Sequence, residues 1–448
     1  MYPVSFVREH AAELRDGLRR RYRESAEVDR ILELDQRRRA LTEEANRLRA
    51  RRNAAARPAT GTAKEAPSPE ARNELATVRD RIRTIEQEES AIDSDLQQLL
   101  LALPQIPHAS VPPGRTAAEA VEVSRFVPQR NPPASPKPHD EVGHELNLLD
   151  EPRGVKVAGE GFYVLWGDLA RLEHALIRYM RRLHLGRGYV EVSPPILVNS
   201  DSMRGTGQLP KFAEDSYQVK TDDLWLVPTA EVPVTNLFRD EVFLPEDLPY
   251  KLMAYTPCFR REAGGHGVET RGIARVHQFD KVELVNFTLA ENSYAQLEEL
   301  RDEAEAVLRG LELPYRVLNL PAGDLPEKAA KCYDLELWAP GSERWLEISS
   351  VSNFEAYQSN RANIRVRRTQ SDRPEPVHTL NGSGTALARL LVALLENYQT
   401  PEGNVEIPAV LREEMGGAQE LAPTPRVGEA ELARGRHPKR GRAARTAG

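Results

Sequence analysis

From Ala71 the apolar residues fall at Leu75, Val78, Ile82, Ile85, Ile92, Leu96 and Leu99, in steps of three and four, with Glu89 as the one lapse. That spacing is a heptad seam along one side of an α-helix, and such a seam has to find an apolar partner. Upstream, Ile31, Leu34, Leu41, Ala45 and Leu48 mark a second stripe. Between the two, RPATGTAKEAPSP supplies prolines and a glycine that neither helix can run through. The pattern predicts an antiparallel helical hairpin packed seam against seam. At 1.5 Å per residue, arms of about 28 residues would project roughly 40 Å. So thin a rod either leans on a larger body or reaches for a partner.

The first helix carries Arg37, Arg38, Arg39, Arg47, Arg49, Arg51 and Arg52, with Arg57 at the turn, and the second is rich in glutamate at Glu86, Glu88 and Glu89. These charges suit a solvated coiled-coil surface, and arginines towards the tip of a rod also suit phosphate tracking. The sequence alone leaves the partner open. A net charge of -7 argues against a generally basic nucleic-acid binder, although local basic patches are compatible with it.

From Ile106 to Pro138 proline is dense, which predicts a linker or an extended wrapping segment. Beyond it, β-branched and aromatic runs alternate with helical stretches to about Glu414, the mark of one large α+β domain. The expected units are a helical arm over residues 1–112, a main domain over 113–416 and a disordered basic tail over 417–448. No apolar run nears the roughly 20 residues that span a bilayer. The N-terminus MYPVSFVREH lacks a secretory layout, so a cytoplasmic address without membrane attachment is expected. Cys258 and Cys332 are too far apart for a zinc knuckle and are expected to be reduced.

Chemistry concentrates in five segments. In KLMAYTPCFRREA and RVHQFDKVEL, read as antiparallel strands around the loop GGHGVETRGIA, Arg275, His277, Phe279, Lys281 and Glu283 share one face, and Arg260 and Glu262 share another. Guanidinium forks suit phosphate or carboxylate, a ring suits a base, and acidic oxygens suit an ammonium. A sheet face of mutual salt bridges explains the same residues. PTAEVPVTN puts Thr229 and Glu231 at strand spacing, and Glu347 stands beside Ser349 and Ser350, oxygen donors of the kind Mg²⁺ prefers. NGSGTALARLLVALLENYQ is not expected to open as a regular strand, while Leu387, Leu390, Leu391, Leu394 and Leu395 trace a buried helix stripe with Arg389 off its centre. No GxxxxGK[ST] run is present, so the nucleotide site is not a P-loop.

Taken in order, RGYVEVSPPILVN, TAEVPVTN, PCFRREAGG…TRGIARVHQFDKVE, EISSVSNFEAYQSNRANIRVR and NGSGTALARLLVALLENYQ resemble the seryl-tRNA synthetase family of class II aminoacyl-tRNA synthetases. The resemblance runs from the helical arm to about Gly416. It implies an antiparallel sheet flanked by helices, a homodimer with Pro194 at the interface, L-serine and ATP as substrates, Mg²⁺, and tRNA(Ser) as acceptor, with tRNA(Sec) where present. It implies that Arg260, Glu283 and Arg389 are catalytic. Thr229, Glu231, Arg260, Glu283 and Ser383 would bind serine, with Glu283 accepting from its hydroxyl. ATP would meet Arg260, Arg261, Glu262, Val276, Phe279, Glu347, Ile348, Ser349, Ser350 and Arg389, with Phe279 stacked on adenine. Glu347 and Ser350 would hold the metal, and the arm would grip the long variable arm of the tRNA. Arg261, GGHGVET and Ala388 depart from the family's common pattern, which bears on the tRNA acceptor end.

Overall fold

The computed structural model describes residues 1–55, 69–130, 133–262 and 271–425. Helices α1 (Val4–Glu9) and α2 (Ala11–Arg20) precede the hairpin formed by α3 (Ala26–Ala55) and α4 (Pro69–Ala102). The predicted seam is the buried one: Ile31, Leu34, Leu41 and Ala45 face Val78, Ile82, Ile85, Ile92 and Leu96, with Leu99 partly buried against the same cluster and Leu100 and Leu103 buried in it. The lapse at Glu89 is satisfied, since the Thr42 hydroxyl donates to its carboxylate at 2.5 Å. At the base, Val7, Leu14 and Leu18 join Val28, Ile31, Leu34, Leu96 and Leu100 in one cluster, so the rod leans on α1 and α2. Asp35, buried there, receives Arg8 and Arg39 at 3.1 Å each.

Most of the arginines on α3 are already paired. Arg37 reaches Glu88, Arg38 reaches Asp93, Arg49 reaches Glu86 and Arg51 reaches Glu74, all across the hairpin. Exposed pairs of this kind contribute about 0–1 kcal/mol each, so they set helix register more than stability. The expected turn around Arg57 lies outside the described residues.

The main body is an eight-stranded sheet: β1 (Val121–Phe126), β2 (Val190–Glu191), β3 (Tyr250–Phe259), β4 (Gln278–Thr288), β5 (Tyr315–Asn319), β6 (Lys331–Ala339), β7 (Arg344–Asn353) and β8 (His378–Ala386). Their order is β1-β5-β6-β7-β8-β4-β3-β2, antiparallel except for the short β2–β3 pair. Helices α5 (Gly167–Leu185), α6 (Glu231–Asn236), α7 (Ser293–Gly310) and α8 (Leu387–Asn397) complete the frame. Leu176 and Met180 of α5, Leu297 and Leu300 of α7 and the predicted stripe of α8 join Leu284, Leu335, Val351 and Leu380 of the sheet in one core.

Four expectations change. The Asn-Gly-Ser-Gly run, not expected to be a strand, lies inside β8 and pairs with β4, Gly382 opposite Leu284 and Ser383 opposite Glu283. Its glycines serve packing: a Cβ on Gly382 would sit 3.0 Å from the Leu300 side chain, so α7 could not lie so close. The Pro-rich segment contributes the edge strand β1, so it is part of the sheet as well as a wrap. Thr229 and Glu231 are not on a strand, because Glu231 opens α6, whose Pro233 is tolerated in a first turn. Finally, residues 417–425 pack on the body, with Leu421 buried and bonded to Val405, so the expected tail does not start at 417. Residues 426–448 lie outside the description.

Both cysteines are free and buried. Among the described residues, no helix is long and apolar enough to cross a membrane.

Candidate active site

A cavity of about 230 Å³ opens where β3, β4, β7 and β8 meet the starts of α6 and α8. Alternation on β4 sends Phe279 and Lys281 into it and sets Glu283 just beneath, against its lining residues Thr229, Lys281, Asn381 and Ser383, while Val282 and Leu284 go to the core with no exposure. Thr229, Glu231, Arg260, Glu262, Val276, Glu347, Ile348, Ser349, Ser350, Ser383 and Arg389 also line it. These residues, named from five separate stretches of sequence, share one cavity.

At its floor Glu283 is 0 % exposed. Thr229 Oγ1 donates to it at 2.5 Å, Asn381 Nδ2 at 3.0 Å and Ser383 Oγ at 3.1 Å, and the Lys281 ammonium pairs with it. A carboxylate removed from water costs several kcal/mol unless paired and hydrogen-bonded, which is what these donors supply. Lys281 also donates to Thr229 Oγ1 at 3.0 Å. Glu231, equally buried, is held by Lys328 at 2.5 and 2.6 Å and by Gln358 Nε2 at 2.5 Å. Two buried carboxylates thus form a small acidic floor, each with a lysine.

Cations stand towards the mouth. The Arg260 guanidinium lies 5.3 Å from the Phe279 ring centroid, and its Nε donates to the Pro228 carbonyl at 3.3 Å. Arg389 Nε donates to the Ala274 carbonyl at 3.0 Å and its Nη1 to the Glu347 carbonyl at 2.5 Å, which aims the fork across the cavity rather than into solvent. Glu262 pairs with Arg275 at 2.6 Å. It reaches the cavity through a left-handed backbone at φ 49°, because β3 has already ended at Phe259. Ser349, almost fully buried, donates to the Ser383 carbonyl at 2.6 Å and locks β7 to β8.

Two named residues go elsewhere. His277 precedes the start of β4, so the strand alternation does not reach it; its Nδ1 donates to the Arg260 carbonyl at 2.9 Å and its ring stacks on Phe162. Arg261 does not line the cavity, since its side chain donates to the Glu214 carbonyl at 3.0 Å. The loop GGHGVET lies at 264–270, outside the described residues.

Sequence reasoning missed Asp334, Asn381, Lys328 and Gln358. Asp334 faces Ser350 across the β6–β7 pair and accepts from its hydroxyl at 2.5 Å, while Ser350 also donates to Glu347 at 3.2 Å. Burial, and then the neighbouring Glu347, push the Asp334 carboxyl up to about 8. A group raised in this way favours folding below the ordinary carboxylate range, and that contribution is lost as pH rises through about 8. Asp334→Asn mimics the protonated form, so its melting temperature should gain on the parent between pH 6 and pH 9. Parallel curves across that range would contradict the assignment.

An antiparallel sheet whose strands present arginine forks, a ring and carboxylates to one cavity defines the class II aminoacyl-tRNA synthetases. Residues 214–398 match the model of the tRNA synthetase class II core domain (G, H, P, S and T), and residues 1–107 match that of the seryl-tRNA synthetase N-terminal domain. The chain is 50% identical over 438 residues to the serine–tRNA ligase of Thermomicrobium roseum, covering 97% of this chain and 98% of that one. It is also 50% identical over 455 residues to that of Halorubrum lacusprofundi, covering 96% and 99%. The crystal structure of seryl-tRNA synthetase from Pyrococcus horikoshii complexed with ATP superposes with a TM-score of 0.87 at 34% identity, over 95% of this chain and 100% of that one. The chain belongs to the seryl-tRNA synthetase family.

Proposed function

We propose that this protein is a serine–tRNA ligase that activates L-serine with ATP to seryl-adenylate and passes the seryl group to the 3'-terminal adenosine of tRNA(Ser), and of tRNA(Sec) where one exists. The observation that carries the reading is the Glu283 floor, a carboxylate with no exposure surrounded by small polar groups beneath a ring of arginines. An amino acid small enough to reach that floor and able to donate a hydroxyl hydrogen bond is serine. Alanine or glycine would forgo a hydrogen bond to a charged acceptor, worth about 1.5–3 kcal/mol, and threonine adds a methyl the floor has to exclude by size.

In this reading Thr229, Glu231 and Ser383 receive the rest of the amino acid. Arg260 takes its carboxylate and the ATP α-phosphate, Phe279 stacks on adenine, Glu262 meets the adenine amino group, Val276 offers a backbone contact and Arg389 takes the γ-phosphate. Attack of the serine carboxylate on the α-phosphorus forms the acyl–phosphate bond and breaks the bond to pyrophosphate. Two anions must meet for this, and positioned arginines offset the repulsion while holding the in-line geometry. No general base is needed, since the carboxylate is already ionised. The ribose hydroxyl of tRNA then attacks the carbonyl and AMP leaves.

Glu347, Ser350 and the neighbouring Asp334 are hard oxygen donors whose carboxyls repel one another, as the raised Asp334 indicates. That set fits Mg²⁺ held jointly with phosphates better than a closed protein cage, and such an ion would neutralise phosphate charge. We also read the protein as a cytoplasmic homodimer. The support for the dimer is the apolar exposure of Val190, on the edge strand β2, and of Leu197, on either side of Pro194 in sequence. Serine-dependent exchange of pyrophosphate into ATP, with alanine and threonine inert at equal concentration, tests the activation step.

A further inference from the structure

The amino-acid floor holds more positive charge than a site awaiting an ammonium group needs. Glu231 and Glu283 are the two buried carboxylates there, and each already has a lysine: Lys281 on Glu283 and Lys328 on both oxygens of Glu231. The pair of carboxylates is therefore neutralised before substrate arrives. A substrate ammonium approaching Glu231 meets another ammonium on the same oxygens, and like charges at hydrogen-bond range repel strongly at the effective dielectric of a half-buried site.

The two lysines are mounted differently. Lys281 sits in mid-strand on β4, almost fully buried and bridged to Thr229. Lys328 projects from the loop Leu325–Ala329, with its side chain 19 % exposed and its ammonium 4.7 Å from the Phe354 ring centroid. A second cavity of about 160 Å³, between that loop and the stretch Gly207–Phe212, also has Lys328 in its lining. Lys328 therefore has a route off Glu231 that Lys281 lacks.

The loop is held from outside the sheet. Arg21, buried at the end of α2, donates to the carbonyls of Leu325 at 2.9 Å, Pro326 at 3.1 Å and Ala329 at 2.6 Å, and its Nε donates to Gln105 at 2.6 Å. The backbone N–H of Gln105 in turn donates to the Glu327 carbonyl at 2.7 Å. Groups of the N-terminal helical unit thus fix the height of Lys328 above Glu231.

From this arrangement we infer that Lys328 is a built-in occupant of the amino-group position on Glu231, which serine has to displace, and that Arg21 is the positioning residue that keeps it there. The inference rests on the amino-acid subsite proposed above. Lys328 sets serine affinity by competition: it satisfies Glu231 while the site is empty and raises the serine concentration needed to fill it. Arg21 acts through the loop and does not touch substrate.

Steady-state pyrophosphate exchange with the full-length protein tests this. Lys328→Gln keeps a hydrogen-bond donor and removes the competing charge, so KM for serine should fall about three- to tenfold with little rise in kcat. Lys328→Arg keeps the competing charge, so KM for serine should not fall below that of the parent. Arg21→Lys loosens the loop and should shift KM for serine in the same direction as Lys328→Gln, with no further shift when the two are combined. A merely structural lysine would give the opposite sign, because its loss would loosen the site. An unchanged or raised KM for serine in Lys328→Gln overturns the inference while leaving the activity reading intact. A parent protein with no serine-dependent exchange overturns the activity reading itself. If Arg21→Lys does not fold, the two Lys328 variants decide the matter alone.

Discussion

Glu283→Gln is expected to lower kcat/KM for serine in pyrophosphate exchange by about 10³-fold or more, with KM for ATP changing far less. The substitution keeps the shape of the side chain and removes its charge. It then presents an amide N–H₂ to a shell that consists of donors: Thr229, Asn381, Ser383 and the Lys281 ammonium. The Lys281 charge loses its partner, and breaking a buried pair from one side costs about 3–5 kcal/mol, so the variant should also melt at lower temperature. The specific signature is the split between substrates. Loss of folding alone would reduce the amount of active enzyme, whereas loss of the hydroxyl acceptor raises the serine requirement and leaves the ATP requirement in place. Ser383→Ala removes one neutral donor and should cost only about tenfold. Near-normal exchange by Glu283→Gln would remove this residue from its assigned role.

The second large effect concerns the arm. Replacing residues 46–82 by a short turn should reduce serylation of tRNA(Ser) by on the order of 10²-fold or more, while pyrophosphate exchange stays within about twofold. The cut is chosen from the packing. Ile31, Leu34, Ile92 and Leu96 belong to the cluster that seats the rod on α1 and α2, so a wider deletion from 30 to 98 would expose that base as well as remove the rod. The trimmed version keeps the base together with Leu41, Ala45 and Ile85. Because Arg37, Arg38, Arg49 and Arg51 are paired with carboxylates across the hairpin, binding a phosphate backbone would require them to exchange partners or share them. Charging by the trimmed protein, which lacks Arg49 and Arg51, should accordingly be weak and less salt-dependent than charging by the parent. Equal losses in both assays would show that the rod does more than hold the acceptor.

How far these features can be read from the sequence depends on how local their cause is. The hairpin was legible because its seam is a property of spacing within each helix, and even the Glu89 lapse turned out to be a local matter of one threonine opposite it. The short helices beneath it were not, since so few turns give little periodicity to read. On β4 the alternation correctly gathers Phe279 and Lys281 at the cavity with Glu283 beneath them, and it fails at His277 because a period-two argument holds only while the chain is a strand. Thr229 and Glu231 read as two apart on a strand, yet Glu231 reaches the cavity from the first turn of a helix and Thr229 from the bend just before it, so the right neighbours follow from the wrong geometry. The Asn-Gly-Ser-Gly run was misread for a different reason: its local propensity opposes a strand, and pairing with β4 together with close packing of α7 overrides it. Asp334, Asn381, Lys328 and Gln358 carried no signal at all. Each acquires its place from a partner distant in the chain, Ser350, Glu283 or Glu231: sheet register brings in Asp334 and Asn381, while a loop and the short helix Tyr357–Ala362 carry Lys328 and Gln358.

All of this depends on the floor of the cavity recognising one amino acid beside ATP. The direct measurement is amino-acid-dependent ATP–pyrophosphate exchange by the purified protein, run with each of the proteinogenic amino acids in turn. The account predicts exchange with serine alone, at a rate that disappears when Glu283 is changed to glutamine. Exchange driven by a different amino acid, or none with serine at saturating ATP and Mg²⁺, would contradict it.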